Sequence, residues 1–297
     1  MSIVYADSLE DVEVISSGLF VDILTGVGGF PRGAITEIFG DEGIGKSSLC
    51  LQLVASAQKK GLRCLWVDVE WSYTPRYATS LGVDNAKVGL IREHHAEGIL
   101  DAVEDAVDSG EWDLVILDSV GGILPRAEAE KSTEGKTIGG QAGIMAKFCR
   151  KIVPLLAINK VALVAINHSF IDIMSGKLLT SGGKKLSYHK SISIRLRQKT
   201  GVSLKIGDRK VGKVVIGEVR KNKFAPTEGL ILDGQLIFGE GFSEEATLLD
   251  NAINKGVIIK KGNTYFHGET KLGVGKEKAR QYLKEDPMFA ELIRSKL

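Results

Sequence analysis

Gly40-Asp41-Glu42-Gly43-Ile44-Gly45-Lys46-Ser47 sets glycines, a lysine and a hydroxyl at the spacing G-x-x-x-x-G-K-[ST]. Glycine carries no Cβ, so the backbone N–H groups of such a loop can turn inward onto phosphate oxygens. Lys46 would add a point charge toward the β/γ-phosphates, and Ser47 would offer a hydroxyl to Mg2+, with Ser48 directly behind. A helix starting here aims its positive end at the same anion.

Carboxylates supply the next chemistry. Asp118 follows an apolar run, the placement of an acid that orders Mg2+ directly or through water. An N-cap at a strand-to-helix turn is the plain alternative. Glu70 closes the run RCLWVDVE, where a carboxylate can hold and deprotonate a water in line with a γ-phosphate. A solvated strand end is the plain alternative. Asp68 points to the opposite side of that strand, which makes it the weaker candidate. Tyr77, shortly after Pro75, could stack on a base or simply pack. Arg220-Lys221-Asn222-Lys223 reads from composition as a solvated basic strand end. His94, His95, His189 and His267 show no metal-ligand spacing.

The apolar pattern shows what must position these groups. Ile35, Ile38 and Phe39 predict a buried strand before the glycine loop. Leu49, Leu53, Val54 and Ala57 recur at helical spacing after it, with Gly61 as the stop. Residues 63–70, 113–118 and 161–167 are nearly continuous apolar runs, the mark of strands covered on both faces. Helices are expected over 75–82, around Ile99, Leu100, Val103, Ala106 and Val107, and over 141–159, where Pro154 should kink the last. This alternation predicts an α/β fold: a mainly parallel sheet flanked by helices, with ligands at the carboxyl ends of its strands. Glu70, Asp118 and Asn167-His168 fall there.

Beyond His168 the pattern changes. Residues 191–199, 213–222 and 230–233 alternate, as antiparallel strands with one wet face do. Residues 243–255, 276–285 and 287–296 read as helices, Asp286-Pro287 forming an N-cap and N1 pair. The expected organisation is a lead-in over 1–32 with a short strand at 12–15, a core over 33–240 and a small helical α+β C-terminal domain over 241–297. Segments 125–140 and 169–183 are long connections, a class that is usually functional or disordered. The second carries Phe170, Ile171, Ile173 and Met174 beside Lys177. Apolar side chains can wedge between bases while lysines meet the backbone; a misread strand or helix is the alternative.

Totals exclude more than they assign. Among 297 residues, 43% hydrophobic and 26% charged, the net charge is +2, so nucleic-acid affinity must come from local patches. Three scattered cysteines, Cys50, Cys64 and Cys149, argue against a disulfide framework or zinc site and fit a reducing cytosol. No apolar run approaches the ~18 residues of a membrane span, and the acidic start has no signal-peptide pattern.

Taken in order, ISSGLFVDILTGVGGFPRG, FGDEGIGKSS, VDVE, TPRYATSLGVD, LVILDSV, AINH, SGGKKL, VRKNKFAP and GEGFSEEATLLDNAINKGVI resemble the bacterial RecA recombinase family and its phage relatives, over nearly the whole chain. The resemblance implies a RecA-like P-loop NTPase core. It also implies an ATP- and Mg2+-dependent homo-oligomeric filament, nucleotide between subunits, that assembles on single-stranded DNA and pairs it with homologous duplex. A cytoplasmic location and mediator or single-strand-binding partners would follow. It makes Glu70 the catalytic carboxylate, Lys46 and Ser47 the holders of triphosphate and Mg2+, and Asp118 the Walker B acid. Tyr77 would stack on adenine. His168 stands where the family usually has a glutamine that senses the γ-phosphate. Lys221 and Lys223 match paired lysines that reach a neighbouring subunit's nucleotide, a trans charge of the arginine-finger kind. The two long connections correspond to DNA-binding loops. That implicates Arg126, Lys136 and Arg150 around the first, and Phe170, Ile171, Ile173, Met174, Lys177, Gly182 and Gly183 in the second.

Three departures stand out. The chain starts roughly where the family's N-terminal polymerisation module ends, so filament assembly is expected to be weaker or to use another contact. It stops without the usual acidic tail, which should ease access of duplex DNA. Asp41 and Glu42 make the loop more acidic than the norm and cost phosphate affinity unless they face solvent. An accessory paralogue that joins another recombinase's filament, or a motor of the same fold, remains open at this level.

Overall fold

The computed structural model describes residues 11–130, 140–172, 176, 178–206 and 208–297. The chain packs as two compact units, one up to Arg197 plus Gly217–Leu232, the other Gln198–Ile216 plus Asp233–Leu297.

A mixed sheet of ten strands runs in the order Gly241–Phe242, Ile231–Ile237, Arg209–Asn222, Ile192–Ile206, Ile35–Gly40, Ala162–Ile171, Leu114–Asp118, Cys64–Asp68, Val88–Ile91, with Leu178–Thr180 attached to Ala162–Ile171. From Ile192–Ile206 through Val88–Ile91 every pairing is parallel. Such strands are covered on both faces, and their sequences comply: Leu114–Asp118, Cys64–Asp68 and Ile35–Gly40 are buried throughout.

Ala96–Asp108 and Gly140–Asn159 cover one face. Ile99, Leu100 and Val103 meet Met145, Phe148 and Ile152 against Val115 and Leu163. Each such burial stabilises by about 1.5–3 kcal/mol. The second helix continues from Gly140 to Asn159 with Pro154 inside it. In the lead-in, Val14–Ile15 pairs antiparallel with Phe30–Pro31 around the Phe20–Thr25 helix.

Two expectations are corrected. The strand predicted over 63–70 ends at Asp68, so Glu70 lies in the turn beyond it. Val69 N–H bonds the Asp118 carbonyl at 2.8 Å. The chain then bends because the Asp68 carboxylate captures the N–H groups of Ser72 and Tyr73 at 2.9 and 3.2 Å. The connection predicted over 169–183 contains a hairpin: Ala162–Ile171 runs on and pairs antiparallel with Leu178–Thr180, Phe170 opposite Leu179. Alternation did not betray it, because neither face of this short ribbon is fully buried.

In the second unit, Glu244–Asn254 and Pro287–Arg294 start as their sequences dictate. The Ser243 Oγ accepts from Ala246 N–H at 3.1 Å, and the Asp286 carboxylate accepts from Phe289 N–H at 2.9 Å. With Lys276–Glu285 they enclose Leu249, Ala252, Leu283 and Ile293. The β part of the expected α+β domain is a three-stranded antiparallel sheet, Ile259–Lys261, Thr264–His267 and Thr270–Val274, whose strands the sequence did not place individually. Its strands are short and lysine-rich, below the length at which period-two patterning is visible. Among the described residues no helix is long and apolar enough to cross a membrane.

Candidate active site

The strand Ile35–Gly40 hands directly to the helix Lys46–Lys59 through the glycine loop. Gly40 is obligatory: a Cβ there would lie 2.0 Å from the Leu196 carbonyl oxygen of the neighbouring strand. Lys46 is buried, and its Nζ spans the loop, donating to the carbonyls of Gly40 at 2.9 Å and Asp41 at 2.8 Å. Burial pulls its pKa down, against the opposing charges of Asp118, Glu70, Asp41 and Glu42. Asp41, Glu42 and Gly43 are exposed while Ile44 is buried, so both loop carboxylates face solvent.

Ser47 Oγ donates to the Asp118 carboxylate at 2.9 Å. Burial pushes Asp118 up to about 6, countered by the Ser47 bond and reinforced by the carboxylates of Glu70 and Asp68. A hydroxyl and a carboxylate joined at this distance form a hard-oxygen pair of the kind Mg2+ takes when phosphate and water oxygens complete its shell. Among the described residues no cluster of three or more His, Cys, Asp or Glu could hold a metal by itself. The residues present therefore fit a Mg2+ held jointly with phosphate.

Glu70 stands next to this pair. Its Oε1 accepts from the Ser119 hydroxyl, the residue after Asp118, and lies 3.0 Å from His168 Nε2. Burial alone would raise its pKa, but the bonds from Ser119 and His168 and the nearby charges of His168 and Lys46 bring it below the ordinary carboxylate value. A half-exposed carboxylate kept ionised beside a phosphate loop can accept a proton from water. Asp68, the rejected neighbour, is fully buried and bonds Arg92 at 2.8 Å, which gives it a structural task.

Tyr77 is partly exposed, and its hydroxyl meets Ser48 Oγ at 2.7 Å, anchoring the ring to the first turn of the phosphate helix. Lys221 Nζ donates to the carbonyls of Ser187 at 2.7 Å and Tyr188 at 3.1 Å, and Lys223 Nζ to that of Tyr188 at 3.3 Å. Burial, then the neighbouring charges of Lys223 and Lys190, lowers the Lys221 pKa. The hairpin presents Phe170, Ile171 and Leu179 at 48%, 67% and 43% exposure. A cleft of about 680 Å³ lies between the hairpin and Lys221, lined also by Phe39, Lys190 and Arg220. Gly182 and Gly183, with φ of 89° and 73°, turn the chain from the hairpin into the helix Gly183–His189. Arg126 and Arg150 are exposed and make no hydrogen bond to the other predicted residues among those described. Lys136, Ile173, Met174 and Lys177 lie outside the described residues.

The structure thus joins Ser47 to Asp118, Glu70 to His168 and Tyr77 to Ser48. Sequence reasoning missed Ser119, whose only signal was its place directly after the acid. It also missed Glu37, a lone charge inside the buried run ITEIFG, which demanded a partner.

The fold and site define a phosphate-loop nucleotide-binding protein of the α/β class. Comparison narrows this. The RecA N-terminal domain model matches residues 2–243 and the RecA C-terminal domain model residues 246–297. Protein RecA of Thermus aquaticus is 38% identical over 292 residues, covering 96% of this chain and 85% of the relative. Protein RecA of Aquifex pyrophilus is 37% identical over 291 residues, covering 97% and 83%. The crystal structure of the RadB recombinase superimposes with a TM-score of 0.58 at 19% identity over 77% of this chain and 98% of its own, a likeness of fold. The chain belongs to the RecA family, the ATP-dependent recombinases that form filaments on DNA and carry out homologous pairing and strand exchange.

Proposed function

We propose that this chain hydrolyses ATP at the Gly40–Ser47 loop and uses the hydrolysis to control its hold on single-stranded DNA within a homo-oligomeric filament. Lys46 and the loop N–H groups bind the triphosphate, and Ser47 and Asp118 hold Mg2+, which neutralises charge on the phosphates when bound. Tyr77, held by Ser48, stacks on the base. Glu70 positions a water and takes its proton at a carboxylate oxygen, with Ser119 and His168 fixing its orientation. Lys221 and Lys223 leave the carbonyls of Ser187 and Tyr188 and supply positive charge to the nucleotide of a neighbouring copy. Phe170, Ile171 and Leu179 meet the bases of single-stranded DNA.

The observation that carries this reading is the Glu70–His168 contact. It connects the hydrolytic carboxylate to the strand that becomes the hairpin, with His168 in register beside Gly40. A ligand that contacts one state of this pair better than the other shifts the hairpin's population. The test is ATPase activity with and without single-stranded DNA across protein concentration. The expected result is stimulation that rises steeply with protein, because the lysines act between copies. Hydrolysis indifferent to both DNA and concentration would overturn it.

A further inference from the structure

Behind the loop lies a buried polar cluster that the proposed chemistry does not use. Glu37, in the phosphate strand, is fully buried and accepts bonds from three donors. Asn167 Nδ2 reaches its Oε1 at 3.0 Å, while Lys190 Nζ and the Ser193 hydroxyl, the latter at 2.7 Å, reach its Oε2. A buried carboxylate so saturated cannot rotate without leaving a donor unpaired. That makes Glu37 a fixed point for Asn167. The Asn167 amide spends its second N–H on the Ser181 carbonyl at 2.9 Å, and its oxygen accepts the His168 N–H at 2.9 Å. Every polar atom of this side chain is committed, and the three commitments run in different directions: to the phosphate strand, to the residue that opens the hairpin and to the residue that closes it.

The closing side is itself stiff. A Cβ on Gly182 would lie 2.9 Å from Leu186 and 3.0 Å from Val120, and one on Gly183 would lie 2.9 Å from Ala142. Ser181 therefore enters a tightly packed turn. From there the helix Gly183–His189 leads to Lys190, which returns to Glu37 and closes the circuit. The carbonyls of this helix also hold Lys221 and Lys223.

We infer that Asn167 is a positioning residue that clamps the base of the hairpin to the phosphate strand, so that a displacement of His168 is transmitted to Ser181 and the Gly183–His189 helix rather than lost in the hairpin alone. Glu37, Lys190 and Ser193 hold the clamp's orientation. The inference rests on the proposed function and adds the residue through which nucleotide state reaches both arms of the hairpin.

The test uses the full chain and a fluorescein-labelled oligo-dT. Its Kd is measured with a non-hydrolysable ATP analogue and with ADP, alongside nucleotide affinity from a fluorescent ATP analogue. In the unsubstituted chain the two Kd values should differ within the range of about 5–150-fold typical of coupled sites. Asn167→Ala should bind nucleotide normally while that ratio collapses to less than about twofold. A purely structural role would lower the melting temperature without touching the ratio. An unchanged ratio in Asn167→Ala would overturn the inference and leave the proposed function standing. No ratio in the unsubstituted chain would sink the proposed function itself. Should Asn167→Ala fail to fold, hydrogen exchange on the unsubstituted chain decides. Amides over 178–189 must slow on adding the ATP analogue without DNA, and indifferent exchange there would refute the clamp.

Discussion

Two segments leave the carboxyl edge of the parallel sheet side by side, in register at Gly40 and His168. The glycine loop is decided before any ligand arrives. Lys46 is pinned to its carbonyls, Ile44 is buried, and Gly40 fits against Leu196 with no room for a methyl group. The hairpin is the reverse, a ribbon exposing Phe170, Ile171 and Leu179. The difference follows from their chemistry. Electrostatic stabilisation of a transferring phosphoryl group works only if donors need no reorganisation. If, as proposed, the hairpin is a grip that is made and released, it needs apolar surface whose exposure is relieved only when bases cover it.

The largest effect that would sharpen this contrast is at the preset end. Glu70→Gln should lower turnover by about 10²–10⁴-fold, the usual contribution of a positioned base, with nucleotide and DNA binding intact. Retained steady-state hydrolysis would remove Glu70 from catalysis. Next comes one substitution made at both ends. Gly40→Ala should destabilise by about 3 kcal/mol or more, since the clashing atom is backbone. Gly176→Ala, in open space at φ +66°, should cost only the left-handed penalty of about 1–2 kcal/mol. Chemical denaturation measures both, and equal losses would erase the distinction between a rigid loop and a permissive ribbon.

The same contrast governs what the sequence revealed. The loop was legible because its function imposes glycines and a lysine at fixed spacing on a strand–turn–helix with strong apolar periodicity. Asp118 was legible because a buried strand ending in an acid is conspicuous. The hairpin was not, because its apolar residues Phe170, Ile171 and Leu179 stay exposed rather than entering a core, and periodicity reports cores. Asn167, Glu37 and Lys190 were invisible as a group because they lie on different strands and at a helix end, far apart in the chain. Only the lone Glu37 carboxylate in an apolar run hinted at them. The strands of the C-terminal α+β domain could not be placed one by one because Ile259–Lys261, for example, has its full length exposed.

On the ribbon, Phe170→Ala should weaken single-stranded DNA binding by about 1–3 kcal/mol, the value of one stacked base. Nucleotide affinity without DNA should not move. Matching losses in both would mean that the ring props the loop rather than meeting DNA, and the two regions would no longer be separable.

The smallest effect lies back at the loop, where Ser48 Oγ and the Tyr77 hydroxyl share one hydrogen bond at 2.7 Å. If that bond only orients a ring already favoured by its position in the Pro75–Ser80 helix, removing it costs what an exposed neutral hydrogen bond is worth, about 0.5–1.5 kcal/mol. Ser48→Ala should therefore weaken ATP binding a few-fold, Tyr77→Phe by a similar factor, and the double variant by no more than either alone, since both delete the same bond. Fluorescent-nucleotide titration resolves the cycle, with oligonucleotide affinity in ADP as the invariant control. Additive losses would show that each hydroxyl touches the nucleotide independently, so that the base is held by two separate contacts and the preset character of this end stops short of the ring.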